Sequence, residues 1–220
     1  MSDEARRKGK RTSLLVRRAD LSVDEFRTYW AGPHAAIAIT MPGIARYTQN
    51  CVDKVVWTNA GGAPYLADGI VELEFKSEQA MAEAGSSPAV RRLLPEDEPR
   101  FLSAITLCQV PAGAEQVRSG CVKVILAARL HDGKDVANLD VVLKAAKPLA
   151  YSVDPVGDAA HREALAYENE APHAFATLWF EAERSLTKVF SADSNWQRVA
   201  VENLKRATAW LIDPLPIVIG

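Results

Sequence analysis

Cysteines are scarce in this sequence, and long apolar runs are absent. The 220 residues include three cysteines, Cys51, Cys108 and Cys121, and no C-x-x-C pair. Scattered cysteines in odd number favour reduced thiols over a disulfide framework, which indicates a cytoplasmic protein. No apolar run reaches the roughly 18 residues that a membrane-spanning helix needs, so we expect no membrane partner.

An excess of charge of either sign is lacking as well. The formal net charge is −2, with 48% apolar and 25% charged residues. This composition is typical of a soluble globular protein and gives no reason to expect nucleic acid as a partner. The basic segment 1–11 is followed by an apolar stretch that is too short for a signal peptide. We therefore predict that this segment is a disordered, solvated tail.

Sequence motifs for bound cofactors are also missing. The chain contains neither G-x-G-x-x-G nor G-x-x-x-x-G-K, and it has no G-x-S-x-G nucleophile elbow. No two histidines have the spacing of a metal site, and no flavin or haem motif occurs. The sequence therefore predicts no structural metal and no cofactor.

The most informative segment is 20–50, which begins as a helix. Ser22 and Glu25 have the spacing of a capping box. Pro33 has no N–H for the carbonyl of Tyr29, so we expect the helix to kink there. Apolar spacing places one stripe of this helix against a sheet. The stripe consists of Phe26, Trp30, Pro33, His34, Ile37 and Met41.

His34 is a titratable group on this apolar stripe. It is either a core histidine bonded to a backbone carbonyl or a general acid–base group, since the reference pKa of histidine lies near neutrality. The stripe by itself favours the core interpretation.

The motif F-x-x-Y-W-x-x-x-H-A, followed by P-G-I-x-R-Y-x-Q-N, resembles the EthD-domain family of the dimeric α/β-barrel superfamily. The resemblance continues through DGIVELEF at 68–75, Ser87-Pro88 and the segment 97–101, and it covers residues 12–110. It implies a ferredoxin-like fold whose subunits pair into a barrel. It also implies roles in ether degradation, or in dehydrating, decarboxylating or rearranging aromatic or polyketide-like intermediates.

The predicted elements of the first half follow the order β-α-β-β-α-β, which is the ferredoxin-like arrangement. Its strands are predicted at 12–18, 44–52, 69–75 and 100–110. The second half repeats this order in degenerate form. Its strands are predicted at 120–130, 160–168, 174–180 and 207–219, with helical segments at 135–150 and 185–205. Prolines in the last strand, Pro214 and Pro216, suit an edge or a bend.

The fold predicted from this order is α+β. Two tandem ferredoxin-like (βαββαβ) halves, 12–111 and 120–220, are expected to pack sheet to sheet as a pseudo-dimer that resembles a dimeric α/β barrel. The junction falls at 112–119, and the barrel is expected to enclose a chamber that holds the site.

Candidate catalytic residues occur in the first half only, because aligning the two halves sets Leu149 against His34. We predict one centre per chain with His34, Tyr47 and Asp68 as its catalytic residues. His34 is the general acid–base candidate. Tyr47 either donates to a developing oxyanion or packs. Asp68 either orients the histidine or serves the turn before Gly69.

Further residues of the first half are predicted to contact the substrate. These residues are Tyr29, Trp30, Arg46, Gln49 and Glu72. Glu72 and Glu74 share one strand face, and burial of that face inside the barrel should raise the pKa of at least one of them. The loop 54–68 is either a flap over a pocket or a plain surface excursion.

The leading hypothesis is a cofactor-independent EthD-like enzyme of the lyase or isomerase type. It would perform dehydration, decarboxylation or isomerisation by acid–base chemistry on a small apolar or aromatic molecule. One alternative is a barrel protein that binds a small ligand without catalysis. Another is a haem- or quinone-related monooxygenase of the same superfamily. Further pairing into a homodimer is also expected.

Overall fold

A single antiparallel sheet dominates the structure, a computed structural model that describes residues 8–59, 63–111 and 120–219. The strands in these ranges are β1 (Gly9–Arg17), β2 (Ile44–Thr58), β3 (Gly69–Phe75), β4 (Leu102–Pro111), β5 (Val122–Leu130), β6 (Ala150–Pro155), β7 (Ala159–Ala160), β8 (Ala174–Phe180) and β9 (Leu204–Ile217). The α-helices are α1 (Val23–Tyr29), α2 (Ala35–Ala38), α3 (Glu78–Gly85), α4 (Leu94–Asp97), α5 (Val136–Ala145), α6 (Arg184–Val189) and α7 (Asn195–Asn203).

The strand order is β6-β8-β5-β9-β2-β3-β1-β4-β7. Within each half, the second strand lies at one edge, followed by the third, the first and the fourth. The halves join where β9 pairs with β2. At the other end, Gln109 of β4 bonds the chain that follows β6, donating to the carbonyl of Asp158 at 2.8 Å and accepting from Gly157 at 3.0 Å. The sheet therefore curls back on itself, and its halves join edge to edge as well as facing each other.

The first strand begins earlier than the sequence predicts. β1 starts at Gly9, so Lys10 and Arg11 belong to the sheet and not to a disordered tail, while residues 1–7 lie outside the described residues. The error has a physical cause. Lys10 is buried among carboxylates, and a basic residue with such partners cannot be told from a solvated one by composition.

In the second half, the second strand is β6 and not the predicted segment 160–168. Ala159 and Ala160 pair there with Cys108 and Leu107 of β4, and Ala166 forms an isolated parallel bridge with Ala104. The third strand, β8, has the predicted bounds. β9 pairs with β5 only as far as Ile212, so its two later prolines lie where β2 is the sole neighbour. The predicted junction 112–119 lies outside the described residues.

The interior of the barrel is filled. One cluster of buried residues draws on both halves and on no helix, and it includes Leu14, Tyr65, Ile70, Ile125, Phe175 and Trp210. Tyr65 brings the loop before β3 into this cluster and donates its N–H to Thr208 Oγ1 at 2.9 Å. This loop therefore closes on the barrel and does not cover the first-half helices. Residues 60–62 of the loop lie outside the described residues.

Charged side chains complete the interior. Lys10 Nζ lies 2.9 Å from Glu72 Oε1 and 2.6 Å from Asp154 Oδ2. Lys123 Nζ lies 2.8 Å from Glu72 Oε2. Burial pushes the pKa of Glu72 upward, but the two lysines outweigh it and hold the pKa well below its usual value. The prediction that burial raises this pKa is wrong, because the sequence did not reveal the lysine partners.

None of the helices in the described ranges has the length and apolarity that a membrane crossing requires.

Candidate active site

A small cavity lies between the first-half sheet and the helices that cover it. Its volume is about 40 Å³. Residues on β1 to β4 form its floor, and α2, α4 and the turn that follows α1 form its roof. The floor residues alternate with those that face the barrel interior, so the cavity lies on the opposite face of the sheet. The expected site inside the barrel chamber is therefore replaced by a site beneath the helices.

The predicted kink after α1 is a π-helical turn, Trp30–His34, with Pro33 inside it. Because Pro33 has no N–H, the regular α-helical bonding cannot continue through it. Ala35 instead donates its N–H to the carbonyl of Trp30, five residues earlier. The same carbonyl accepts a bond from Gln49 Nε2 at 2.8 Å. This turn brings His34 into the cavity wall with 8% of its surface exposed.

The imidazole of His34 is held by Asp97, which ends α4. His34 Nδ1 lies 2.9 Å from Asp97 Oδ2, and the hydroxyl of Tyr29 donates to Asp97 Oδ1 at 2.6 Å. Burial acts to raise the pKa of Asp97, but the bonds from His34 and Tyr29 outweigh it and lower this pKa. An ionised carboxylate only accepts hydrogen bonds, so the shared proton is assigned to Nδ1. Phe101 packs against the imidazole with ring centroids 4.8 Å apart.

This assignment leaves Nε2 of His34 as a proton acceptor. Nε2 makes no hydrogen bond within the described residues. A histidine in a cavity wall that a carboxylate orients through one nitrogen, with the other nitrogen free to accept a proton, has the arrangement of a general base.

Tyr47 lies across the cavity floor with its hydroxyl buried. The hydroxyl accepts a bond from Gln49 Nε2 at 2.8 Å. Burial raises the pKa of Tyr47 and outweighs the hydrogen bond from Gln49, which lowers it. The phenol therefore stays protonated and is a hydrogen-bond donor for an oxygen in the cavity.

Two buried oxygens on the cavity side of the first-half sheet have no hydrogen-bond partner among the described residues. They are Gln49 Oε1 and Ser13 Oγ, and both residues are fully buried. An unpaired buried polar atom costs about 1–3 kcal/mol and is uncommon in native proteins. Such atoms indicate a place for a water or a ligand with polar groups.

The structure brings together only part of the predicted site. Of the predicted residues, Trp30, His34 and Tyr47 line this cavity. Tyr29 and Gln49 do not line it, but they bond Asp97 and the carbonyl of Trp30. Asp68 lies elsewhere and accepts from Arg17 N at 3.0 Å and Arg17 Nε at 3.1 Å. Arg46, which pairs with Glu74, and Glu72 lie on the face toward the barrel interior. Asp97 thus makes the contact that was predicted for Asp68.

Asp97 is a residue that sequence reasoning missed. It lies in a segment that carries the family resemblance, but 63 positions separate it from His34. No local pattern distinguishes it from the neighbouring carboxylates. Arg162 was missed for another reason, since it reaches the cavity wall from the second half.

A larger, open groove of about 850 Å³ lies among the second-half helices, bounded by Lys147, Phe180 and Trp196. No histidine lines it. Because it offers no group with the acid–base arrangement of His34 and Asp97, the smaller cavity is the better candidate for chemistry.

Comparisons with known proteins agree with this fold. Residues 18–104 match the family model of the EthD domain. No curated protein matches the sequence. An anthrone oxidase-like protein of known structure has a TM-score of 0.59 at 10% identity, with 99% of this chain and 96% of that chain covered.

Two further solved structures are similar. A candidate monooxygenase from Lactobacillus acidophilus has a TM-score of 0.51 at 8% identity, with 97% of each chain covered. Another from Fusobacterium nucleatum has a TM-score of 0.54 at 5% identity, with 95% of this chain and 93% of that chain covered. Identities this low concern the fold alone, and the likeness extends over both halves of the chain.

Proposed function

We propose, from the match of residues 18–104 to the EthD-domain model, that the protein is an enzyme that transfers protons on a small, largely apolar or aromatic substrate. The observation that carries the proposal is the contact between His34 Nδ1 and Asp97, which leaves Nε2 of this cavity-lining histidine free to accept a proton. The family supports an enzyme, and the geometry supports acid–base chemistry.

The proposed reaction begins with removal of a proton from a carbon next to a carbonyl group. Nε2 of His34 takes the proton, and Asp97 stabilises the imidazolium that results. The hydroxyl of Tyr47 donates to the carbonyl oxygen, where negative charge develops. Return of the proton to another carbon is an isomerisation, and its delivery to a leaving hydroxyl is a dehydration.

The size of the cavity constrains how a substrate enters. Its volume of about 40 Å³ compares with about 30 Å³ for one water in the liquid. An aromatic substrate needs several times this room, so entry requires movement of side chains in the cavity wall. The wall includes Leu94 of the short helix α4 and the paired side chains of Glu98 and Arg162.

We also propose that the chain is a tandem duplication whose second copy has lost the site. The strand order of each half supports this, since the same arrangement of first to fourth strand occurs twice. Leu149, aligned with His34, is 53% exposed. Because β9 already pairs with β2 in one chain, any homodimer would use other surfaces.

A second candidate function is an oxygenase that acts on aromatic compounds. The likeness to an anthrone oxidase-like protein favours it. Anthrone plus O₂ gives anthraquinone plus water. Removal of a proton from the CH₂ group of anthrone is a suitable first step for Nε2 of His34. The two candidates therefore share their base and differ in the fate of the carbanion.

Deuterium exchange tests the shared step without knowledge of the natural substrate. The protein is incubated in D₂O with two ketones and exchange is followed by NMR. In 2-tetralone the exchanging CH₂ groups lie next to the carbonyl, and in anthrone the acidic CH₂ lies across the central ring, conjugated with the carbonyl. We expect H34A to slow exchange by about 10²–10⁴-fold, the usual contribution of a general base. The control H131A, at an exposed histidine, should exchange like the wild type.

Oxygen uptake with anthrone separates the two candidates, because only the second consumes O₂. If the wild type catalyses deuterium exchange and H34A does so at the same rate, both candidate functions are contradicted. Binding of these ketones without exchange would instead support a barrel that holds a ligand without catalysis.

A further inference from the structure

We propose that the cavity beside His34 selects substrates that carry a carboxylate, and that Arg11 and Arg162 bind this group. The inference rests on the proposed function, because it names the substrate class of the same site. It adds two binding residues that neither the sequence motif nor the family match contains.

Arg11 is the first of the two binding residues. It lies on β1 and lines the cavity floor together with Ser13 and Leu15, the residues two and four positions further along the same face. Its guanidinium makes no hydrogen bond or ion pair within the described residues. Burial and the nearby Arg162 lower the pKa of Arg11, and Glu98 opposes them. An unpaired cation at a cavity wall calls for an anion.

Arg162 is the second, and it already has a carboxylate partner. Its Nε lies 2.7 Å from Glu98 Oε2, and a terminal nitrogen lies 3.2 Å from Glu98 Oε1. The two side chains are 16% and 4% exposed. With Arg11 included, this end of the cavity has two positive charges and one negative charge. The excess positive charge favours a ligand with one negative charge.

Ser13 gives independent evidence for a ligand oxygen at this end. Its hydroxyl is fully buried and has no partner among the described residues. It lies on the same strand face as Arg11, two residues away. A hydroxyl donor beside a guanidinium is a suitable pair of contacts for the two oxygens of a carboxylate.

The sheet register sets the length of the substrate. Tyr47 pairs with Leu73, and Leu73 pairs with Arg11, so Tyr47 and Arg11 occupy one row, two strand spacings apart. This separation is about 10 Å between backbones. A carboxylate at Arg11 and a reacting carbonyl at Tyr47 therefore fit an aromatic acid of one to three rings.

The pair of Arg162 and Glu98 also explains how the cavity can be closed when empty. Glu98 pairs with the Arg162 guanidinium that would otherwise bind the substrate carboxylate, and the side chains of Glu98 and Arg162 both line the cavity wall. An entering carboxylate replaces Glu98 on Arg162, so opening of the wall is coupled to the charge of the ligand. A neutral molecule of equal size cannot replace Glu98 on Arg162 in this way.

Calorimetric titration with 2-naphthoate and its uncharged amide, 2-naphthamide, tests the inference. The wild type should bind the acid at least about tenfold more tightly than the amide. R11Q and R162Q should each weaken binding of the acid by about 10–100-fold, the range for a charge-assisted hydrogen bond, and leave the amide within about twofold. E98Q, which removes the competing carboxylate, should bind the acid more tightly than the wild type. The control R18Q removes an exposed arginine that pairs with Asp20, and it should change neither affinity.

R162Q leaves Glu98 without its partner, so the double variant E98Q/R162Q is the companion that keeps the local charge balance if the single variant fails to fold. Equal affinity for acid and amide, or equal loss of both in R11Q, would overturn the inference. So would the absence of acid binding across benzoate, 2-naphthoate and anthracene-2-carboxylate. Binding needs no turnover, so H34A separates the two proposals. If H34A still binds the acid but no longer catalyses deuterium exchange, both proposals are supported. If deuterium exchange is normal but the protein does not prefer the acid to the amide, only the carboxylate proposal is contradicted.

Discussion

At the scale of single residues, Asp97 decides what His34 can do. The carboxylate accepts from the imidazole and from the hydroxyl of Tyr29, and these two bonds lower its pKa in spite of burial. It therefore stays ionised, keeps the proton on Nδ1 and leaves Nε2 as the proton acceptor. Without this partner, the imidazole could turn or adopt the other tautomer.

The first prediction concerns this carboxylate. D97N should slow ketone exchange by about 10²–10⁴-fold, since an amide no longer fixes the tautomer or stabilises the imidazolium. NMR exchange in D₂O measures the effect. D68N is the matched control, because Asp68 bonds Arg17 and not the histidine. Equal slowing in both variants would count against a special role for Asp97.

The pH dependence of stability provides a second readout for Asp97. Its folded-state pKa is lowered, so its contribution to stability is complete above the unfolded-state pKa of about 3.9 and is lost as the pH falls through the folded value. The difference in unfolding free energy between wild type and D97N should therefore be largest near neutral pH and shrink in acid. Urea titrations at several pH values measure it.

Single residues of the site were predictable where one segment carried them. Trp30 and His34 share a helical stripe, Tyr29 adjoins it in the sequence, and Tyr47 and Gln49 lie on one face of a strand, so local spacing was sufficient. The partner of the histidine was not predictable in this way. Asp68 and Asp97 are equally polar in the sequence, and only the path of the chain brings one of them to the imidazole.

At the scale of secondary-structure elements, the π-helical turn and the start of β3 together fix the roof of the cavity. A Cβ added at Gly69 would lie 2.5 Å from a carbon of the Trp30 ring. Glycine is therefore required where this ring crosses the strand. The ring and the turn behind it set the position of His34.

The second prediction follows from this contact. G69A should lower the free energy of unfolding by about 1–3 kcal/mol, because the added methyl group overpacks a full site. It should also slow exchange, since the displaced Trp30 ring moves the turn. G85A is the control, because no atom lies within 4 Å of its added Cβ. Urea unfolding and NMR exchange measure the two effects.

The third prediction concerns Pro33. A proline inside a helix costs about 3 kcal/mol or more, so P33A should be at least as stable as the wild type. The backbone N–H that this variant restores allows regular α-helical bonding. A change of one residue in the bonding register rotates the residues that follow by about 100° around the helix axis. Exchange should therefore fall while the melting temperature is kept or raised. Wild-type exchange in a demonstrably regular helix would show that the turn has no role in placing His34.

The sequence predicted a kink at Pro33, yet it could not specify a π-helical turn. That form depends on Trp30 O finding two donors, Ala35 N and the side chain of Gln49. The second donor belongs to another element. Strand lengths were uncertain for a similar reason, since β2 extends to Thr58 only because β9 pairs along it.

At the scale of the whole molecule, buried charges connect the two halves. Lys10 and Glu72 belong to the first half, and Lys123 and Asp154 belong to the second. Each lysine bonds a carboxylate of the other half. These contacts lie within the barrel, so they can form only when the sheet has curled on itself.

The fourth prediction tests this connection. E72Q leaves two buried lysines with less compensation, and it should lower the free energy of unfolding by about 3–5 kcal/mol. E183Q is the control, because the pair of Glu183 and Lys54 is exposed and contributes little. Urea unfolding at pH 7 compares the two variants. Equal small effects would mean that the interior charges do not hold the halves together.

The pKa shifts of Glu72 and Lys10 set the direction in which the free energy of unfolding changes with pH. The folded-state pKa of Glu72 is lowered, so its contribution is present above the unfolded-state pKa of about 4.3 and is lost as the pH falls. The pKa of Lys10 is raised, so its contribution is present below about 10.4 and is lost as the pH rises through the folded value. The difference in unfolding free energy between the wild type and E72Q should therefore become smaller below about pH 4.

The α+β class and the strand order of the first half follow from apolar spacing, and those of the second half follow only in part. Its second strand, β6, is short and ends in Pro155, so its alternation was too weak to find. Lys10 was assigned to a tail because charge near a terminus usually means solvent. Its partners Glu72 and Asp154 lie 62 and 144 positions away, beyond the range of any local pattern.

The most direct test is the position of one proton. A long-range ¹H–¹⁵N spectrum of the histidines, with H34A to identify the signals of His34, reports which nitrogen is protonated when the imidazole is neutral. We predict a protonated Nδ1 and an unprotonated Nε2 in the wild type, and loss of this preference in D97N. A proton on Nε2 in the wild type would contradict the assignment of His34 as the base.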